Sequence, residues 1–228
     1  MTAREDDEEL FRLAREELYT AVVGDVMDRL GLTRQFLPPE IRPLRSDMTV
    51  VGRAMPVLQE DRTGEATVDR DREAPFGLML YALDDLRPGE VYVCAGSSPR
   101  YALWGELMST RAMKLGASGA VLDGYSRDTT GILRLNFPTF SYGPYAQDQA
   151  LRGRVVDFRC RIFFGNGVEV RPGDLVFGDV DGVVVVPSEH EREVVQEALT
   201  KVRGENAVRK AIEEGMSARE AFDRYGVM

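Results

Sequence analysis

The chain predicts an α/β fold in which mixed β-sheets are flanked by helical segments at both ends. Three observations carry this expectation. Residues 91–95 and 182–187 are apolar, Val-rich runs of the kind that form buried strands. Residues 5–31 and 188–228 repeat apolar side chains at helical spacing. No G-x-G-x-x-G or G-x-x-x-x-G-K-[ST] occurs, which excludes a simple doubly wound dinucleotide fold and a P-loop.

In chain order, Leu10, Phe11, Ala14, Leu18, Val22, Val26 and Leu30 mark two helices. The expected break lies near Thr20 to Gly24, with Asp25 capping the second helix and Gly31 ending it. Pro38, Pro39 and Pro43 make 32–47 an irregular connection. Residues 48–58 read as a strand bent by Gly52 and Pro56, 59–72 as a polar loop, and 74–83 as a helix. Arg87-Pro88-Gly89-Glu90 turns the chain into the strand at 91–95, and Arg171-Pro172-Gly173-Asp174 repeats the device before 175–178. A helix is expected at 103–115, with Leu103, Leu107 and Leu115 as its apolar positions and Gly116 as its stop. The strand that follows at 119–123 makes half of a parallel crossover. Further strands are expected at 137–141 and, from alternation, at 155–164, followed by a turn at 165–167. Gly178-Asp179-Val180-Asp181-Gly182 reads as a hairpin turn, and Gly215-Met216-Ser217 divides the C-terminal helical region in two.

Composition narrows the function. The 228 residues, 43% hydrophobic, suit a single domain over 1–228, with a helical N-terminal extension (1–31) and a helical C-terminal region (188–228). A net charge of −9 argues against nucleic acid as a direct ligand. No run of 18 apolar residues predicts a membrane span, and the acidic start lacks the apolar core of a signal peptide. Cys94 and Cys160 fall in strand-like runs and read as reduced thiols of a cytoplasmic protein. The single histidine, His190, opens a polar helix. That disfavours a Ser-His-Asp triad or a multi-His zinc site, so a metal here would be held by oxygen.

The chemistry concentrates at Gly105-Glu106-Leu107-Met108 and, with 20 residues between it and Glu106, at Arg127-Asp128. Gly105 permits close approach to a helix start whose free amides at Glu106, Leu107 and Met108 can receive a carboxylate. Arg127 can pair with that carboxylate or with a keto oxygen. Asp128 and Glu106 can anchor Mg²⁺ or Mn²⁺, directly or through water. Such a set suits a small oxo-acid cleaved through an enolate. The same residues also fit a helix cap and a local ion pair.

Trp104-Gly105-Glu106-Leu107-Met108, Gly119-Ala120-Val121-Leu122-Asp123-Gly124, Arg127-Asp128 and the run from Gly178 to Pro187 together resemble the RraA-like family. That family includes 4-hydroxy-4-methyl-2-oxoglutarate aldolases, which also decarboxylate oxaloacetate. The resemblance covers about residues 18–228. It implies a swivelling β/β/α domain, and a homotrimer or homohexamer with active sites between subunits. It further implies that Asp128 is a direct metal ligand and that Glu106 acts through metal-bound water. Arg127 would polarise the substrate, and the amides of Gly105, Glu106, Leu107 and Met108 would bind the pyruvyl carboxylate. Glu205 of a neighbouring subunit would complete the metal site, with Glu197 as the alternative. Glu106 stands where aldolases of the family often carry Asp, a longer arm with the same charge. Ser97 and Ser98 could border the substrate, and Trp104, Tyr125 and Arg100 could line its outer pocket. The competing reading is a non-enzymatic RraA-type protein that binds and inhibits ribonuclease E. A menaquinone-pathway methyltransferase would need a glycine-rich nucleotide loop that the first strand lacks.

Overall fold

Two helices open the chain, α1 (Ala3–Glu17) and α2 (Thr20–Arg29), in a computed structural model that describes residues 3–62 and 75–226. The break falls at Leu18-Tyr19, earlier than the sequence suggests, because extended Tyr19 precedes α2. Asp25 therefore lies inside α2 and does not cap it. The cap comes from far along the chain: Asp179 accepts hydrogen bonds from Thr20 N at 2.8 Å and Thr20 Oγ1 at 2.7 Å. Gly24 is a packing glycine, since a Cβ there would lie 1.9 Å from the Phe36 ring.

After β1 (Arg42–Pro43) comes the long strand β2 (Val50–Asp61), which extends into the expected polar loop as far as Asp61. The rest of that loop, 63–72, and Ala74 lie outside the described residues. Next come α3 (Met79–Asp84), β3 (Glu90–Ala95), β4 (Ala102–Trp104), α4 (Glu106–Leu115), β5 (Gly119–Leu122), β6 (Tyr125–Ser126), α5 (Thr129–Leu135) and β7 (Thr139–Ser141). The remainder is β8 (Gly153–Phe158), β9 (Ile162–Phe163), β10 (Glu169–Val170), β11 (Leu175–Asp179), β12 (Gly182–Val186), α6 (Glu191–Glu213) and α7 (Ala218–Tyr225).

The main sheet runs β1-β7-β5-β3-β2-β11-β12, with β8 also paired to β2. Strands β2, β3, β5 and β7 are parallel neighbours, whereas β1, β8, β11 and β12 join antiparallel. Pro56 sits inside β2 without breaking the sheet. On that side, β2 pairs with β11 through residues 50–53 and with β8 through 57–61, and Pro56 falls in the gap.

Alternate residues of the sheet feed opposite cores. On one face Met55, Tyr92 and Leu122 pack against α3 and α4, through Met79, Leu83 and Ala112. Further along that face, Val51, Phe177 and Val184 pack against α1, α2 and α6. On the other face Ala54, Val93 and Val121 pack against Ile162 and Val170 of the β9–β10 ribbon. The layers are thus β/β/α, a mixed α/β fold with helical flanks, as expected.

Two expected elements differ. The helix placed at 103–115 begins at Glu106, because Ala102–Trp104 pairs with β6 as a strand. Leu103 is buried from that strand, and Leu107 is 83% exposed. The i, i+4 leucine spacing imitated a helix face, whereas the buried face is Met108, Ser109 and Ala112. The strand placed at 155–164 is divided at Arg159, which has φ +52. Its guanidinium binds both oxygens of Glu90, at 2.7 and 2.9 Å, and also pairs with Asp85. This clasp redirects the chain into the β9–β10 layer. Gly116 ends α4 in the left-handed region, the 178–182 segment forms the β11–β12 hairpin, and Gly215 follows the end of α6, as expected.

Candidate active site

The parallel pairing of β4 with β6 explains why two distant dipeptides meet. Ala102 aligns with Tyr125 and Trp104 with Ser126, and Arg127 N donates to Trp104 O at 2.9 Å. Each strand is followed at once by a helix, so Gly105-Glu106 and Arg127-Asp128 leave the ribbon side by side.

Two glycines make room for the two carboxylates. A Cβ on Gly105 would stand 2.8 Å from Asp128 Oδ2, and a Cβ on Gly131 would stand 2.3 Å from Glu106 Oε2. Each carboxylate thus rests on a glycine of the opposite segment. Arg127 Nε lies 3.5 Å from Asp128 Oδ2. Arg127 and Asp128 are half-exposed, with 37% and 47% of their side chains accessible. Asp128 takes the left-handed conformation, φ +57, as it turns the chain into α5.

Helix α4 starts from extended Gly105, and no side chain caps it. The first helical bond is Ser109 N to Gly105 O at 3.1 Å, so the amides of Glu106, Leu107 and Met108 precede the helix's own ladder. Trp104 anchors this corner from beneath. It is buried, donates Nε1 to Ser109 Oγ at 2.7 Å, and packs between Tyr92 and Phe137. It therefore belongs to the core and does not line the outer pocket.

Tyr125 and Arg100 do face a cavity, of about 870 Å³, together with Tyr101, Tyr145 and Arg152. Tyr145 and Pro144 also border a smaller cavity, of about 420 Å³, against Arg127 and Asp128. Asp61 organises the rim. It accepts from Ser98 N at 3.2 Å, Tyr101 Oη at 2.8 Å and Arg100 Nη2 at 3.0 Å. Burial alone would raise its pKa, but these donors outweigh it and hold the carboxyl below its ordinary value. Burial, with Asp61 assisting, pushes the Tyr101 hydroxyl up to about 12. Ser98 thus belongs to this rim network.

No motif marks Asp148 in the sequence. Its Oδ1 lies 3.0 Å from Arg127 Nη1. It sits in an irregular segment without a motif, and only the folded chain brings it to Arg127.

Glu205 lies elsewhere in the protomer. It accepts from the Tyr19 hydroxyl, and its Oε1 is 3.6 Å from Lys201 Nζ. Burial first, then Glu205, pushes the Tyr19 hydroxyl up to about 12. Helix α6 packs on α1, α2 and α7, while α4 packs on α3 and α5. The single chain therefore does not bring Glu205 to Asp128. Glu197, 3.5 Å from Arg29, is likewise engaged on that side. Among the described residues, no three His, Cys, Asp or Glu side chains gather into a metal cluster. Glu106 and Asp128 nonetheless are hard oxygen donors, each resting on a glycine of the opposite segment, a donor type that fits a cation bound by one or two carboxylates and water.

The fold and the site define a β/β/α protein with an acid–guanidinium pair beside an uncapped helix start. Residues 20–185 match the family model described as RraA-like, Aldolase/RraA, and the chain belongs to this family. It is 34% identical over 205 residues, 89% of each chain, to a protein of Halalkalibacterium halodurans whose name provisionally assigns it as a 4-hydroxy-4-methyl-2-oxoglutarate aldolase. Its fold is similar to an uncharacterised protein from Pseudomonas syringae pv. tomato, with a TM-score of 0.82, 26% identity, and 96% and 94% of the two chains covered. It is also similar to Streptomyces coelicolor RraAS2, described as an unusual member of the RNase ES inhibitor RraA protein family. There the TM-score is 0.75, the identity 25%, and 88% of this chain and 96% of that one are covered.

Proposed function

We propose that the protein is a divalent-metal-dependent lyase. It would cleave a 4-hydroxy-2-oxo acid such as 4-hydroxy-4-methyl-2-oxoglutarate to pyruvate, and would decarboxylate oxaloacetate. The observation that carries this reading is the reciprocal cradle, in which Gly105 accommodates Asp128 and Gly131 accommodates Glu106 beside Arg127. The name of the Halalkalibacterium halodurans relative supports the same chemistry.

Asp128 would hold Mg²⁺ or Mn²⁺ directly and Glu106 through water, with Glu205 delivered from a neighbouring copy in a trimer or hexamer. When bound, the metal supplies Lewis-acid polarisation of the substrate's 2-oxo group. The chain's own groups do the rest. The amides of Glu106, Leu107 and Met108, at the positive end of the α4 dipole, hold the pyruvyl carboxylate. The Arg127 guanidinium donates to the 2-oxo oxygen and stabilises the negative charge that develops there as the C–C bond breaks. Arg100 and Tyr125 face the part of the substrate beyond the pyruvyl core. We place this activity in the cytoplasm. No described helix is long and apolar enough to cross a membrane.

The likeness to Streptomyces coelicolor RraAS2 favours a second reading, a binding protein that restrains a ribonuclease without chemistry of its own. Pyruvate release from oxaloacetate and from 4-hydroxy-4-methyl-2-oxoglutarate, with and without Mg²⁺, separates the two. Metal-dependent pyruvate supports the lyase. No pyruvate from either acid, with inhibition of ribonuclease E, supports the binding protein.

A further inference from the structure

Asp148 and Asp128 flank the Arg127 guanidinium from two different segments, Asp148 at Nη1 (3.0 Å) and Asp128 at Nε (3.5 Å). The segment that carries Asp148 is fastened on both sides of it. Gln147 O accepts from Ala102 N at 2.8 Å, tying it to β4, the strand that leads into Gly105. Gln149 is buried, 5% exposed, and its Oε1 accepts from Gln59 Nε2 of β2 at 3.0 Å. Gln149 O also accepts from Arg152 N and Gly153 N at 2.7 and 2.9 Å, which closes the turn into β8. Asp148 is thus mounted on the same ribbon that sets Gly105 and Arg127.

An ion pair with 37% and 46% of its side chains exposed adds little to stability. Orientation is where such a pair matters, because an unrestrained arginine samples many rotamers and a catalytic donor must occupy one. The geometry points to Asp148 as a positioning residue that holds Arg127 toward the reacting oxo group. This role rests on the lyase reading above. Asp148 does not touch the substrate, and its negative charge works against binding an anionic oxo-acid. It therefore raises kcat and not affinity.

This combination gives a signature that a structural role lacks. The test compares wild type with Asp148→Asn in Mg²⁺-supported oxaloacetate decarboxylation, calorimetric titration with pyruvate, and thermal unfolding. The expected result is a kcat reduced roughly tenfold, as for a misoriented catalytic group. Pyruvate affinity should be unchanged or tighter and Tm unchanged, and Asp148→Glu should recover much of the lost kcat. A wild-type kcat in Asp148→Asn overturns the role. So does loss of kcat accompanied by a lower Tm or by weaker pyruvate binding. A wild-type protein that releases no pyruvate overturns the lyase reading itself, and this role with it.

Discussion

The Glu106 carboxylate lies over the backbone of Gly131, and a Cβ at that position would stand 2.3 Å from Glu106 Oε2. The obstructing atoms, Glu106 Cδ and Oε2 at 2.3 Å and Cγ at 2.6 Å, all belong to one flexible side chain, so Gly131→Ala must swing Glu106 aside from Cγ outward. Alanine also favours the helix by up to about 1 kcal/mol over glycine. The variant is expected to keep or raise its Tm while kcat/KM falls roughly 10²-fold, the scale of an ångström-sized misplacement. Unfolding scans beside oxaloacetate kinetics check both halves. Unchanged kinetics would remove Glu106 from the site.

Gly105→Ala probes the other half of the cradle. Its φ of −154 is open to alanine, so the backbone carries no strain, but the Cβ would press on Asp128 Oδ2 at 2.8 Å. We expect a higher Mg²⁺ concentration for half-maximal activity, with the fold intact by circular dichroism. The same Mg²⁺ dependence as wild type would refute metal binding by Asp128.

Arg127→Ala removes a charge-assisted donor aimed at developing negative charge. The expected loss is about 3 kcal/mol in kcat/KM, on the order of 10²-fold. Its ion pairs are half-exposed, so stability should fall by no more than about 1 kcal/mol. Denaturant titration and kinetics on one preparation distinguish a chemical from a structural role. Activity near wild type would contradict the assignment.

Asp61 provides a test of the rim by pH. Its folded pKa is depressed by Ser98, Tyr101 and Arg100, against the opposing effect of burial. A depressed carboxyl stabilises the fold above its unfolded pKa and loses that contribution as pH falls through the folded value. Asp61→Asn should therefore be less stable than wild type at neutral pH. The gap should close as pH drops below the ordinary carboxylate range. A gap that is constant from pH 7 to pH 3 would show that Asp61 acts by shape and not by charge.

Much of this arrangement was legible in the sequence. The Val-rich runs gave the buried strands, since residues covered on both faces need no alternation. Gly105-Glu106 and Arg127-Asp128 were legible as a pair because motif residues carry chemistry in their identity. Other features were not. Trp104 looked like a pocket residue because burial cannot be read from an aromatic beside a glycine. Leu107 looked buried because its spacing from Leu103 ignored the strand between Tyr101 and Gly105. Asp148 had no signal at all, since its pairing with Arg127 arises from β4, β6 and the buried Gln59–Gln149 contact. Asp25 has the residue type of a local cap, whereas the α2 cap comes from Asp179, 159 residues away from Thr20.

The most direct test of the account is pyruvate release from oxaloacetate by EDTA-treated protein, before and after addition of Mg²⁺ or Mn²⁺, in wild type and in Asp128→Ala. A metal-dependent lyase shows no release above the protein-free rate after EDTA, recovery of the wild type on adding metal, and no recovery of Asp128→Ala. Equal release by wild type and Asp128→Ala, or release that ignores EDTA and added metal alike, would contradict it.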